Sequence, residues 1–179
     1  MGTPSATMLV SIIDKLVLVK ISGRANFAAS VDFKSLVSEL RARGDLAFAL
    51  ELSECVIMDS TFLGVLSGLG LKIAETEGAE RLIQLVNAPP RIVDLLENLG
   101  VAHLFKMCRQ SVPSLTQFEA VPTSGVAPTR EEISRTCLEA HQLLMAINPD
   151  NVPKFKDVAR FLAEDLKKIT GGAAEGPKP

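Results

Sequence analysis

Between residues 8 and 107, short aliphatic runs alternate with longer segments whose apolar residues recur at helical spacing. That alternation confines the fold to a sheet with helices laid against it, because each run needs ladder neighbours and each amphipathic segment needs a surface to cover. Residues 8–13 and 16–21 are β-branched or aliphatic, and the polar Asp14-Lys15 between them suits a two-residue hairpin loop. Phe33, Leu36, Val37 and Leu40 then mark one helix face, with Lys34, Ser35, Glu39 and Arg41 opposite and Gly44 closing the segment. Residues 47–52 form an apolar run broken only by Glu51, the pattern of a central strand buried on both faces. Phe62, Val65, Leu66, Leu69 and Ile73 share the face of a second helix. Gly64, Gly68 and Gly70 weaken that helix intrinsically, so they imply close packing against it. Residues 81–86 read as a strand, Pro90 as the start of a helix burying Ile92, Leu95, Leu96 and Leu99, Gly100 as its cap, and residues 101–107 as a last short strand. The expected order is ββαβαβαβ, an α/β layer with a mainly parallel sheet after an opening antiparallel hairpin.

Beyond residue 110 the composition shifts. Residues 111–128 are rich in Ser, Thr, Val, Gly and Pro, and Pro113, Pro122 and Pro128 exclude a regular helix, so the segment reads as a linker. Thr129-Arg130-Glu131-Glu132 matches a capping box, and Ile133, Cys137, Ala140, Leu144 and Ile147 follow at helical spacing until Pro149. Asn151 begins a second helix, with Phe155, Val158, Leu162, Leu166 and Ile169 on its apolar face. The expected division is residues 1–110 as the α/β domain, 111–128 as the linker, 129–170 as a helical hairpin and 171–179 as a compositionally disordered tail. Two such helices bury little alone, so the hairpin docks on the core, pairs with a second copy as a homodimer, or engages another partner.

Composition excludes several functions. Lys and Arg number 19 against 21 Asp and Glu, a net charge of −2, which leaves no basic field for a nucleic-acid partner. The apolar runs are too short to span a bilayer and the N-terminus lacks signal-peptide features, so no membrane insertion and a cytoplasmic location are expected. Cys55, Cys108 and Cys137 are odd in number and scattered, which fits reduced thiols better than disulfides or a metal site. His103 and His141 have no convincing nucleophile beside them in sequence, and neither a Gly-x-Ser-x-Gly elbow nor a Walker phosphate loop occurs, so no catalysis and no cofactor are expected. Gly64-x-x-x-Gly68-x-Gly70 lies inside an apolar helix, where helix packing explains it better than a nucleotide does. Lys154, Lys156, Asp157, Glu164, Asp165, Lys167 and Lys168 read as a solvated helix face. With no Trp and no Tyr, Phe and Arg remain as anchors for a partner.

The segment Met58-Asp59-Ser60-Thr61-Phe62-Leu63-Gly64-Val65-Leu66 places an acid and two hydroxyls before an apolar helix. Ser60 at the N-cap would satisfy N–H groups the helix cannot satisfy itself, and the same N–H cluster suits an anion. A phosphate on Ser60 would add about −1.5 to −2 charges at the positive end of the helix dipole, tolerable to the protein but not to a partner docked there. Asp59-Ser60-Thr61-x-Leu63-Gly64-Val65-Leu66 resembles the Asp-Ser-Ser/Thr-Gly-Leu-Gly-Val-Leu signature of STAS domains, specifically bacterial anti-sigma factor antagonists. Residues 48–53 with Val56-Ile57-Met58 resemble the family's buried strand and turn, and Ser22-Gly23-Arg24-Ala25-Asn26 resembles its Gly-Glu-Leu-Asp loop. Phe62 stands where the family has Gly, Asn26 where the loop Asp is usual, and Glu51 where the strand Asp is usual.

The resemblance implies a STAS-like fold and phosphorylation of Ser60, with Thr61 as the secondary acceptor. It implies a partner-binding surface at Arg24, Asn26, Asp59 and Phe62, an anti-sigma factor with serine-kinase activity as partner, and a phosphatase that resets the switch. ATP belongs to the kinase in this scheme and is no cofactor of the chain. The alternative is an unphosphorylated STAS scaffold or transport-accessory protein that binds its partners constitutively.

Overall fold

The computed structural model describes residues 5–44, 47–111, 117–121 and 126–172. Strands β1 (Thr7–Ile13) and β2 (Leu16–Ala25) form the expected antiparallel hairpin, paired from Thr7 with Ser22 to Ile13 with Leu16. Its two-residue loop holds Asp14 at φ 55°, a left-handed conformation that Asp tolerates better than most residues. Helix α1 (Phe27–Ala42) leads to β3 (Ala47–Glu51), which runs parallel to β2. Then follow β4 (Cys55–Met58), α2 (Ser60–Glu77), β5 (Ile83–Val86), α3 (Pro90–Asn98) and β6 (Phe105–Cys108). The ladder order is β6-β5-β3-β2-β1-β7, parallel from β6 to β2, with β7 (Glu119–Ala120) antiparallel on the edge of β1. The mixed, mainly parallel STAS-like sheet is therefore present, with two strands that the sequence pattern did not give.

The first is β4, which pairs in parallel with the end of β2, placing Arg24 opposite Ile57 and Ala25 opposite Met58. Its burial runs buried, exposed, exposed, buried, so it carries no period-2 signal. The second, β7, lies within the stretch read as linker. Glu119 and Ala120 pair with Val10 and Leu9, and the Val121 N–H donates to the Met8 carbonyl at 3.2 Å. Parts of that stretch, residues 112–116 and 122–125, lie outside the described residues, as does most of the expected tail, 173–179. Gly171 and Gly172 close the last helix instead of opening the tail.

The core fills one face of the sheet. Val17, Val19 and Ile21 of β2, Phe48 and Leu50 of β3, and Ile83 and Leu85 of β5 meet Phe33 and Val37 of α1, Phe62, Leu63, Leu66 and Ile73 of α2, and Ile92 and Leu96 of α3. Each such side chain, fully buried, contributes about 1.5–3 kcal/mol relative to exposure. The opposite face holds a smaller cluster, in which Leu18, Ala49 and Val86 are covered by Leu16, Cys108 and Phe118.

Two more helices, α4 (Arg130–Ile147) and α5 (Val152–Gly172), follow a short 3-10 turn at Pro149–Asn151. The Thr129 capping box forms as expected, with Glu132 N–H donating to Thr129 Oγ1 at 3.2 Å and Thr129 N–H to Glu132 Oε2 at 2.7 Å. The helices are antiparallel, since Arg130 and Ser134 near the start of α4 bind Asp165 near the end of α5. The pair docks on the core, with α4 lying across α2 and α1. The glycines explain how closely. A Cβ added at Gly64 would stand 2.6 Å from Ala140 Cβ and 2.7 Å from its carbonyl oxygen, and one at Gly68 would stand 2.9 Å from Leu143 Cδ2. Asn151, wholly buried, clamps the junction by donating 2.9 Å bonds to the carbonyls of Leu99 and Leu144.

Candidate functional site

Because β4 extends the sheet beside the end of β2, helices α1 and α2 begin next to each other. Asp59 N–H donates to the Ala25 carbonyl at 3.0 Å, which ties the two starts together. Asn26 caps α1, accepting from Ala29 N–H at 3.1 Å through the side-chain oxygen that also accepts from Ser5 Oγ. Asp59 caps α2, accepting from Phe62 N–H at 2.8 Å. The expected cap residue is thus displaced by one position: Asp59 performs the capping and Ser60 is the first helical residue. A carboxylate is well suited to that place, where unpaired N–H groups and the dipole both favour negative charge.

Near these two helix starts several apolar side chains are exposed. Phe27 is 44% exposed, Val56 53% and Ile57 38%, and Arg24 stands exposed beside them on β2. Phe62, expected among the contact residues, is not on this surface. It is 0% exposed, with its ring centroid 5.1 Å from that of Phe33, because its position on α2 points into the layer between helix and sheet.

Freed from capping, the Ser60 hydroxyl meets α4. Its Oγ lies 2.9 Å from His141 Nε2, while His141 Nδ1 lies 2.7 Å from the Cys137 carbonyl. A carbonyl only accepts, so Nδ1 carries the proton of the neutral ring and Nε2 accepts from Ser60. Burial holds the imidazole pKa below its usual value, against opposing contributions from the Cys137 carbonyl and the Asp59 charge. The ring also packs on Phe155 of α5, with centroids 5.0 Å apart. Thr61 is buried, donating from Oγ1 to Cys137 Sγ at 3.4 Å, and burial raises the Cys137 thiol pKa. Both hydroxyls of the motif therefore face α4.

His141 has no nucleophile beside it in the sequence, but the fold brings Ser60 to it, and no sequence signal gives the contact, because the two are 81 residues apart. A serine hydroxyl donating to a neutral, carbonyl-oriented imidazole is polarised toward nucleophilic attack, and the same bond occupies it. His103 is exposed and takes no part. Glu51 is buried and joins two turns, its Oε1 accepting from Ser53 N–H at 3.1 Å and from Asn87 Nδ2 at 3.4 Å. Among the described residues, no group of three or more His, Cys, Asp or Glu side chains is arranged to hold a metal, and no helix is long and apolar enough to cross a membrane.

The STAS domain profile matches residues 7–113, from β1 to just beyond β6. A provisionally assigned anti-sigma factor antagonist from Thermotoga maritima is similar in structure at TM-score 0.50 and 21% identity, over 57% of this chain and 86% of its own. An anti-sigma factor antagonist from Mycobacterium paratuberculosis gives TM-score 0.49 and 22% identity over 64% and 92% of the two chains. The antagonist SpoIIAA in its unphosphorylated form gives 0.48 and 16% over 56% and 86%. No curated protein sequence matches the chain at a significant level.

Proposed function

The chain belongs to the STAS domain family, and on that premise we propose that it is a cytoplasmic regulator of the anti-sigma factor antagonist kind. It docks on an anti-sigma factor with serine-kinase activity through the surface around the paired starts of α1 and α2, and so frees a sigma factor. The observation that carries this reading is the exposed rim of Phe27, Val56 and Ile57 with Arg24 beside the capped helix ends at Asn26 and Asp59. Arg and Phe are favoured anchors, and a small apolar patch edged by polar groups is the form such surfaces take. Phe27 takes the place first given to Phe62. Phosphate on Ser60, transferred by that kinase, ends the complex, because an added charge in a desolvated interface has no partner, and a phosphatase resets it.

One observation favours the second reading, a STAS scaffold that binds constitutively. Ser60 is half-buried and its hydroxyl is already bonded to His141. The two readings separate when the tagged full chain is purified from its native cells and its partners are identified by mass spectrometry. The proposal expects a kinase-fold anti-sigma factor whose recovery falls steeply in Ile57→Asp, a change to an exposed side chain. Recovery of a membrane transporter or another assembly, or of an anti-sigma factor indifferent to Ile57→Asp and Arg24→Glu, would overturn it.

A further inference from the structure

We propose that the α4–α5 pair is a gate on Ser60: α4 docked and a charged Ser60 exclude each other. The inference deepens the reading above and rests on Ser60 as the modified residue.

Three features exclude coexistence. First, the space beyond Ser60 Oγ is filled by the imidazole nitrogen at 2.9 Å, where a phosphoryl group would have to stand. Second, α4 has no slack to yield it. One turn further along α2, Gly64 meets the Ala140 backbone, where an added Cβ would come within 2.8 Å of Ala140 Cα, and Thr61 is bonded to Cys137 beside it. Sliding α4 away from Ser60 therefore means lifting it from Gly64. Third, the Asp59 carboxylate sits one residue before Ser60, so a phosphate held under α4 would add like charge in a half-buried place.

The same contacts bar a kinase. In the transfer, Ser60 Oγ attacks the terminal phosphorus of a nucleoside triphosphate on the kinase. The Oγ–P bond forms, the bond to the departing nucleoside diphosphate breaks, and the hydroxyl proton passes to the kinase. All this needs Oγ clear of His141. Phosphorylation is thus gated by hairpin opening, and the phosphorylated chain stays open, with the α2 face of Gly64 and Gly68 uncovered. What holds the gate shut is the packing of α4 on α2, with Ala140 and Leu144 buried, together with the Ser60–His141 bond, the 2.6 Å Lys34–Glu139 ion pair between α1 and α4, and the Asn151 clamp.

Cys137, against Thr61, reports the gate, and Cys55, buried in the core on β4, reports unfolding. The test is alkylation of the full chain under native conditions at one pH, with each thiol read by mass spectrometry, in the wild type, Ser60→Glu and Gly64→Ala. Gly64→Ala leaves Ser60 untouched and improves α2 intrinsically, so its added methyl acts on α4 alone. We expect Cys137 to react at least about tenfold faster in both variants, with Cys55 unchanged. In native cells, Gly64→Ala should carry more phosphate on Ser60 than the wild type. Unchanged Cys137 in Ser60→Glu, or a parallel rise at Cys55, overturns the gate. Phosphate present on Ser60 at equal levels in wild type and Gly64→Ala also overturns it while leaving the phosphoswitch intact. Absence of phosphate from both, with Cys137 released as expected, instead removes the phosphoswitch and leaves the exclusion between α4 and charge standing.

Discussion

Phe62 follows two hydroxyl residues at the start of a helix, yet its ring lies against Phe33 with nothing exposed. Its position in the motif made it a contact candidate, but the direction of its side chain makes it a core residue. Phe62→Ala is therefore expected to lower unfolding free energy by about 3–5 kcal/mol in urea titration. A loss below about 1 kcal/mol would mean that the ring is not packed as described. His141 gives a second test at this scale. Its ring ordinarily titrates near 6.5, and burial lowers that value in the fold. As pH falls through 6.5, the unfolded chain takes up a proton before the folded one does, so the stability held by the neutral ring is lost progressively on acidification. His141→Gln keeps a hydrogen-bonding side chain but does not titrate. Between about pH 7.5 and 5.5 the thermal midpoint of the wild type should fall more than that of His141→Gln, whereas parallel profiles would contradict the assignment.

Among the elements, the pair α4–α5 depends on one buried amide. Asn151 serves carbonyls on both sides of the helix junction, and Asn151→Ala strands them, at an expected cost of about 1–3 kcal/mol by urea titration, while a neutral substitution would place the clamp elsewhere. Its sequence signal pointed only to a helix start, since the partner carbonyls belong to Leu99 and Leu144. The helices themselves were legible. The face of Phe62, Leu66 and Ile73, Pro90 and the Thr129 capping box are read from spacing and neighbours a few residues away, whereas the glycines announce a close approach without naming its partner, α4. Strands β4 and β7 were not legible, because β4 exposes its two middle residues and so breaks the period, β7 has only two residues, and the pairing of both is decided by β2 and β1. The cap at α2 was legible to within one residue. Aspartate and serine both cap well, and the backbone at Asp59 settles between them.

For the whole molecule, a sheet with helices on one face carries an additional helical layer that covers its own candidate switch. The sequence announced the motif and the added helices separately, and only the fold joins them, through side chains 81 residues apart. Such a layer, which lies outside the sheet and reaches the main core from α4 chiefly through Leu144, should open before the sheet does. Native-state hydrogen exchange should accordingly find α4 and α5 amides opening at lower free energy than those of β2, β3 and β5. A single shared opening energy would mean that the layer is part of one cooperative unit. The most direct measurement is fragment mass spectrometry of the full chain from its native cells, across growth and stress conditions, beside Ser60→Ala from the same background. The account predicts a phosphate mapped to Ser60 that the variant lacks. A chain that never carries phosphate at Ser60 under any condition would contradict it and leave constitutive docking as the better description.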